Sequence, residues 1–124
     1  MARKVSKTLT EGELRIMEVI WDKRKASVKD VREVLQRNGN VAYNTVQTML
    51  RILEEKGYLT HTKSSRSFVY TPLVERREAR RNALKNLLVS FFDGSPETLF
   101  VNLLEDEDLD KEELESLKRL IKKQ

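Results

Sequence analysis

Residues 42–72, AYNTVQTMLRILEEKGYLTHTKSSRSFVYTP, change period halfway along, and that change decides the fold. In the first half Val46, Met49, Leu50 and Leu53 cluster within about 100° of one another at helical spacing, and Ala42 joins them. This predicts a helix from residue 42 to 56, closed by Gly57. In the second half, residues 58–63 and 67–71 are rich in aromatic and β-branched types, with Ser64, Ser65 and Arg66 between them. That pattern predicts a β-hairpin with a polar, basic tip, ended by Pro72.

Upstream, two further helices are expected. Thr10 followed three residues later by Glu13 is a capping box, and Leu9 and Leu14 flank it as a hydrophobic staple. Leu14, Met17 and Trp21 recur at i, i+3, i+7, with Ile16, Val19 and Ile20 widening the stripe. Lys23, Arg24 and Lys25 suit the negative end of that helix. Ala26 and Ser27 read as a short connection, and Ser27 with Asp30 as the next cap. Val31, Val34 and Leu35 give the second helix a narrow apolar face, which Asn38 and Gly39 stop. Three helices followed by a hairpin in about 70 residues is the order of a winged helix-turn-helix, a mainly α fold with a small β wing.

Downstream of Pro72 the pattern is helical again. Residues 74–92 carry Ala79, Ala83, Leu84, Leu87, Leu88 and Phe91 as a stripe, and Asp93 and Gly94 break it. Ser95 and Pro96 restart a helix as cap and first-turn proline. Leu99, Phe100, Leu103 and Leu104 form its apolar face. An acidic link at 105–108 leads to a last helix opened by Asp110 and Glu113, with Leu109 and Leu114 as staple and Leu114, Leu117 and Ile121 at i, i+3, i+7. A segment this small rarely sustains its own core. The expected division is therefore a winged-helix DNA-binding domain at 1–72 and a helical dimerisation region at 73–124. Leu99, Phe100, Leu103, Leu114, Leu117 and Ile121 are its candidate interface residues in a homodimer.

Composition narrows the function. The 124 residues are 35% charged, with no Cys and one His, and no apolar run approaches the roughly 20 residues of a membrane span. Secretion and membrane insertion are not expected, which places the protein in the cytoplasm. Without Cys there is no disulfide framework or zinc finger, and a lone His excludes a multi-histidine metal site. No catalytic residue, metal site or cofactor is expected, and the chain does not read as an enzyme. The net charge of +4 is uneven. Residues 1–72 hold 14 Lys and Arg against 8 Asp and Glu, whereas residues 73–124 hold 10 against 12. A basic first half points to a polyanion partner, although a solvated charged surface would look the same.

The third helix carries the candidate chemistry. Opposite its apolar stripe stand Asn44, Gln47, Thr48 and Arg51, all able to hydrogen-bond base edges or phosphates and none acidic. An ordinary solvated face would instead be dominated by Lys and Glu. The hairpin tip adds Lys63, Ser65 and Arg66, suited to phosphates or the minor groove, as a solubilising turn also would be. Arg3, Lys4 and Lys7 form a basic arm. His61 reads as structural or solvent-exposed, and the run at 105–108 as a solvated link without EF-hand spacing. Arg76, Arg77, Arg80 and Arg81 face either phosphates or their neighbours Glu75 and Glu78.

LTEGEL at 9–14 with Trp21, YNTVQTML at 43–50, LEEKGYL at 53–59, FVYTPLV at 68–74 and LLEDEDL at 103–109 together resemble the penicillinase-repressor family (BlaI/MecI/CopY) across nearly the whole chain. The resemblance implies a bacterial homodimeric repressor that binds a dyad operator in double-stranded DNA. By position it adds Thr45 to Asn44, Gln47, Thr48 and Arg51 as the DNA-facing set, and it implies that the C-terminal helices form the dimer. In one branch of that family a membrane sensor protease system triggers cleavage in these helices, and Asn102 and Leu103 are the matching segment. The copper-responsive branch is marked by C-terminal cysteines, which this chain lacks. A winged-helix module that docks on another protein without binding DNA is the competing reading.

Overall fold

Thr10 caps α1 (Glu11–Lys23) reciprocally in the computed structural model, which describes residues 8–105 and 110–122. The Glu13 backbone N–H donates to Thr10 Oγ1 at 3.1 Å, and the Thr10 N–H donates to Glu13 Oε1 at 2.8 Å. Ser27 and Asp30 repeat the arrangement for α2 (Val28–Leu35), at 3.2 and 3.0 Å. A 3-10 turn, Gln36–Asn38, links α2 towards α3 (Tyr43–Glu55). Both capping boxes sit where the spacing of hydroxyl and carboxylate predicts, because each satisfies two otherwise orphaned backbone donors.

The end of α3 is set by Gly57, which lies at φ 92. Its N–H donates to the Glu54 carbonyl at 3.0 Å, and the Tyr58 N–H donates to the Leu53 carbonyl at 3.0 Å. This pair of bonds is a Schellman motif, and Tyr58 and Leu53, both buried, supply the apolar contact that accompanies it. The chain then enters β2 (Leu59–Ser64), turns at Ser65 and Arg66, and returns as β3 (Ser67–Pro72). His61 faces Tyr70 and Ser64 faces Ser67 across this antiparallel pair. The loop is therefore two residues long rather than the three expected, and Ser65 adopts φ 54 to make it.

A third strand was not anticipated. Ala26 and Ser27 form β1, which pairs antiparallel with β3 through Ala26 opposite Tyr70, giving the sheet order β1-β3-β2. Two residues carry no alternation to read; their pairing is specified by the open edge of β3.

The core joins Ile16, Met17 and Ile20 of α1, Val31 of α2, Val46, Leu50 and Leu53 of α3, and Leu59 and Tyr70 of the sheet. Two sequence expectations fail in detail. Ala42 is the exposed N-cap of α3 and not part of its apolar stripe, and Leu14 is 42% exposed although it falls on the α1 stripe. The core also continues beyond Pro72 through Val74 and Ala79. Trp21 Nε1 donates to the Val74 carbonyl at 2.9 Å, fastening the segment after the sheet to α1.

Three further helices follow: α4 (Arg76–Phe92), α5 (Pro96–Glu105) and α6 (Lys111–Lys122). The chain divides into two compact units after Ala83, within α4. Burial of Val74 and Ala79 keeps their segment with the first unit. In the second unit Ser95 caps α5, its Oγ accepting from the Thr98 N–H at 3.2 Å, with Pro96 as first residue. Asp110 Oδ1 accepts from the Glu113 N–H at 2.8 Å at the start of α6. Among the described residues no helix is long and apolar enough to cross a membrane.

Candidate nucleic-acid interface

Burying Val46, Leu50 and Leu53 turns the opposite side of α3 outward. Asn44, Thr45, Gln47, Thr48 and Arg51 are all exposed. Their amide, hydroxyl and guanidinium groups offer donors and acceptors at helical spacing with no carboxylate among them. Gln47, Thr48 and Arg51 border a groove of about 410 Å³ whose other wall is the hairpin, through His61, Phe68 and Tyr70. Asn44 and Thr45 lie on the first turn of α3, outside that groove. Lys63, Ser65 and Arg66 are exposed at the far end of the hairpin, and the turn itself projects Ser65 and Arg66.

The hairpin is held against the helix at one place. His61 Nδ1 donates to Glu54 Oε1 at 2.6 Å, the His61 ring stacks on Phe68 with centroids 4.3 Å apart, and it tilts against Tyr70 at 5.5 Å. His61 is thus half-buried and structural, as expected of a lone strand histidine, but its partner Glu54 went unrecognised. The two straddle Gly57, so their meeting depends on the Schellman turn and on the strand register. A three-residue loop in place of the observed two would change the face on which the returning strand's side chains point. Phe68 and Tyr70, alternate residues of β3, were missed as groove-lining for the same reason. Burial raises the Tyr70 phenol above its ordinary range, with Glu54 adding to the shift, so the group stays neutral.

Behind the groove, a second contact ties the end of α3 to α1. Lys56 Nζ donates to Glu13 Oε1 at 2.7 Å, the same oxygen that closes the α1 cap. Burial by itself raises the Glu13 carboxyl. The Lys56 ammonium, the Thr10 N–H and the Thr10 hydroxyl outweigh it and hold the group below its ordinary value. The exit of α3 and the entry of α1 are therefore one polar unit.

The basic residues after the hairpin divide. Arg76 Nη2 donates to Glu18 and to Asp22, each at 2.9 Å, and its guanidinium lies 5.3 Å from the centroid of the Trp21 ring. Glu75 receives both Nη atoms of Arg24, at 2.7 and 2.9 Å. Arg76 thus anchors α4 to α1, and its ion pairs among the described residues are with Glu18 and Asp22, not with Glu75 or Glu78. The arm residues Arg3, Lys4 and Lys7 lie outside the described residues.

In the second unit Leu99 and Leu103 are half-buried, while Phe100 is exposed. The side chains of Leu114, Leu117 and Ile121, like the acidic link at 106–108 and Leu109, lie outside the described residues. Asn102 and Leu103 are in the middle of α5, with Asn102 Nδ2 donating to the Thr98 carbonyl at 2.8 Å. Among the described residues no three His, Asp or Glu side chains gather to hold a metal ion.

The penicillinase-repressor family model matches residues 9–123. The methicillin resistance regulatory protein MecI of Staphylococcus aureus strain N315 is 29% identical, over 93% of this chain and 94% of its own. The penicillinase repressor of Bacillus licheniformis is 31% identical, over 91% of this chain and 88% of its own. Among solved structures, the DNA-binding domain of the repressor BlaI superposes with a TM-score of 0.55 at 34% identity, covering 62% of this chain and 93% of that one. Monomeric Bacillus licheniformis BlaI in complex with the blaP half-operator gives 0.51, at the same identity and coverage.

Proposed function

Because the chain belongs to the penicillinase-repressor family, we propose that it is a dimeric, sequence-specific transcriptional repressor of the cytoplasm that occupies a palindromic promoter operator. The observation that carries this reading is the outward face of α3. Gln47, Thr48 and Arg51 stand exposed beside the hairpin, with Glu54 and Glu55 at the far end of the same groove. In this reading α3 enters the major groove, where Asn44, Thr45, Gln47, Thr48 and Arg51 meet base edges and phosphates. The wing, through Lys63, Ser65 and Arg66, holds the adjacent backbone or minor groove. A relative, BlaI of Bacillus licheniformis, has a solved complex with the blaP half-operator, which supports DNA as the partner.

The dimer is built, in this proposal, by the helices after Ala83 through Leu99, Phe100, Leu103, Leu114, Leu117 and Ile121. Release by a membrane sensor protease system at Asn102 and Leu103 completes the cycle, since severing α5 separates the second unit from its own last helix. That bond lies inside a hydrogen-bonded helix, so cleavage requires α5 to open locally first.

Selection of genomic fragments by the purified full-length protein at two salt concentrations tests the reading. A recovered dyad motif is the expected result. Fragments without a motif, lost equally at higher salt, overturn sequence-specific repression. Absence of duplex binding favours instead a winged-helix module that docks on a protein.

A further inference from the structure

Carboxylates stand in the groove that phosphates are expected to approach. The groove between α3 and the hairpin is lined wholly by α3, β2 and β3. Its permanently charged groups are one guanidinium, Arg51, and two carboxylates, Glu54 and Glu55. That balance runs against the basic excess of residues 1–72, and a duplex repels carboxylates that nothing compensates. His61 is placed to compensate. Its Nδ1 lies 2.6 Å from Glu54 Oε1, and the two side chains are 32% and 22% exposed, so the pair is half-buried and still open to the groove. Phe68 stacks on the imidazole and Tyr70 tilts against it, which holds the ring in place. Lys63, two residues along β2 and opposite Phe68, shares that face. The Tyr70 phenol is neutral, its ionisation pushed upward by burial.

Histidine is the side chain whose ordinary titration falls near neutral pH, and His61 is the only one in the chain. With the ring neutral, its Nδ1–H donates to the carboxylate and the pair carries one negative charge. With the ring protonated, the same bond persists and the pair carries none. Titration therefore changes the charge of the groove and leaves its geometry intact. The phosphates of a bound duplex favour the uncharged pair, because a negative potential stabilises a cation. Building on the reading of this groove as the DNA face, we propose that the His61–Glu54 pair takes up a proton when the operator binds, so that operator affinity rises as pH falls through the histidine range. Linkage makes the effect reciprocal: a duplex that favours the proton is favoured by it. His61 acts here through Glu54 and reads no base.

The experiment measures the affinity of the full-length protein for the strongest-binding fragment of the genomic selection, at fixed ionic strength, between about pH 8 and pH 6. The wild-type chain should bind about fivefold or more tighter at the lower pH, as a coupling of somewhat under one pH unit implies. Calorimetry in two buffers of unequal ionisation enthalpy should register the accompanying proton uptake. His61→Gln keeps a donor for Glu54 and loses the titratable ring. Its affinity should be flat over the range, near the wild-type value at the higher pH, with no uptake. Glu54→Gln removes the carboxylate and should bind severalfold tighter than wild type at the higher pH. A pair that merely braced the hairpin would instead make both variants weaker at every pH. Wild-type affinity that is indifferent to pH, a response that persists in His61→Gln, or a Glu54→Gln variant weaker than wild type overturns the proposal and leaves the operator reading standing. A wild-type chain that binds no fragment at any pH overturns both.

Discussion

At Gly57 the backbone leaves α3 with φ 92 and two capping hydrogen bonds, a conformation that an L side chain enters only against steric resistance. Gly57→Ala should therefore cost about 1–2 kcal/mol of stability in urea unfolding, and Gly57→Asn distinctly less, since Asn tolerates this region. Equal losses for the two would mean that space, and not backbone angle, governs the site. Glu13 has a different role, joining the α1 cap to Lys56 with a single buried oxygen. Its carboxyl is held below the ordinary value in the folded chain. The stability it contributes is thus complete above the unfolded value and is lost as pH falls through the folded one. Glu13→Gln keeps an acceptor for the Thr10 N–H but removes the charge facing Lys56. It should cost about 1–3 kcal/mol near neutrality, and the gap between the two proteins should close as the pH drops below the ordinary carboxylate range. A gap that is flat from pH 7 to 3 would show that the Lys56 pair contributes nothing.

Elements divide the labour of recognition. Major-groove readers discriminate through bidentate bonds, whereas basic tips act on phosphates that every sequence shares. Arg51→Ala should reduce the preference for operator over random duplex by about 1–3 kcal/mol. Lys63→Ala and Arg66→Ala should each weaken both about equally and lower the salt slope by about one. Proportional loss in both affinities for Arg51→Ala would move base reading away from α3. How much of these elements the sequence disclosed follows from the range of the interactions that build them. The caps at Thr10 and Ser27, the stripe of α3 and the hairpin are written in residues a few positions apart, and each forms near where its spacing predicts, apart from Ala42, which leaves the stripe, and the hairpin loop, which is one residue shorter. Strand β1 is specified by the edge of β3, far along the chain, and two residues cannot announce it. The His61–Glu54 contact is lost to reading for another reason: it spans only seven residues, but it follows from how the Schellman turn at Gly57 folds β2 back onto α3. Arg76 looked like one of a basic run; only the folded chain brings it to Glu18, Asp22 and Trp21.

For the whole molecule, charge and apolar surface are segregated. The basic excess lies in the first 72 residues, and the large exposed apolar side chains concentrate after Ala83: Leu84, Leu87, Val89, Phe91, Phe100, Val101 and Leu104. Phe91 is 77% and Leu104 57% exposed in the single chain, more apolar surface than a soluble monomer ordinarily leaves to water. A second copy covering that surface would also set two α3 helices against two half-sites, so the interface and the operator's symmetry are one hypothesis. Leu104→Asp and Phe91→Asp test it cleanly, because both positions are exposed and neither holds the fold of its own unit. Each variant should keep its helical circular dichroism while light scattering reports a monomer. Full-operator affinity should then fall by about a hundredfold or more, as expected when two linked contacts become one, while affinity for an isolated half-site stays unchanged. Variants that remain dimeric would place the interface on other residues, and monomers that bind the full operator undiminished would show that pairing contributes nothing to recognition.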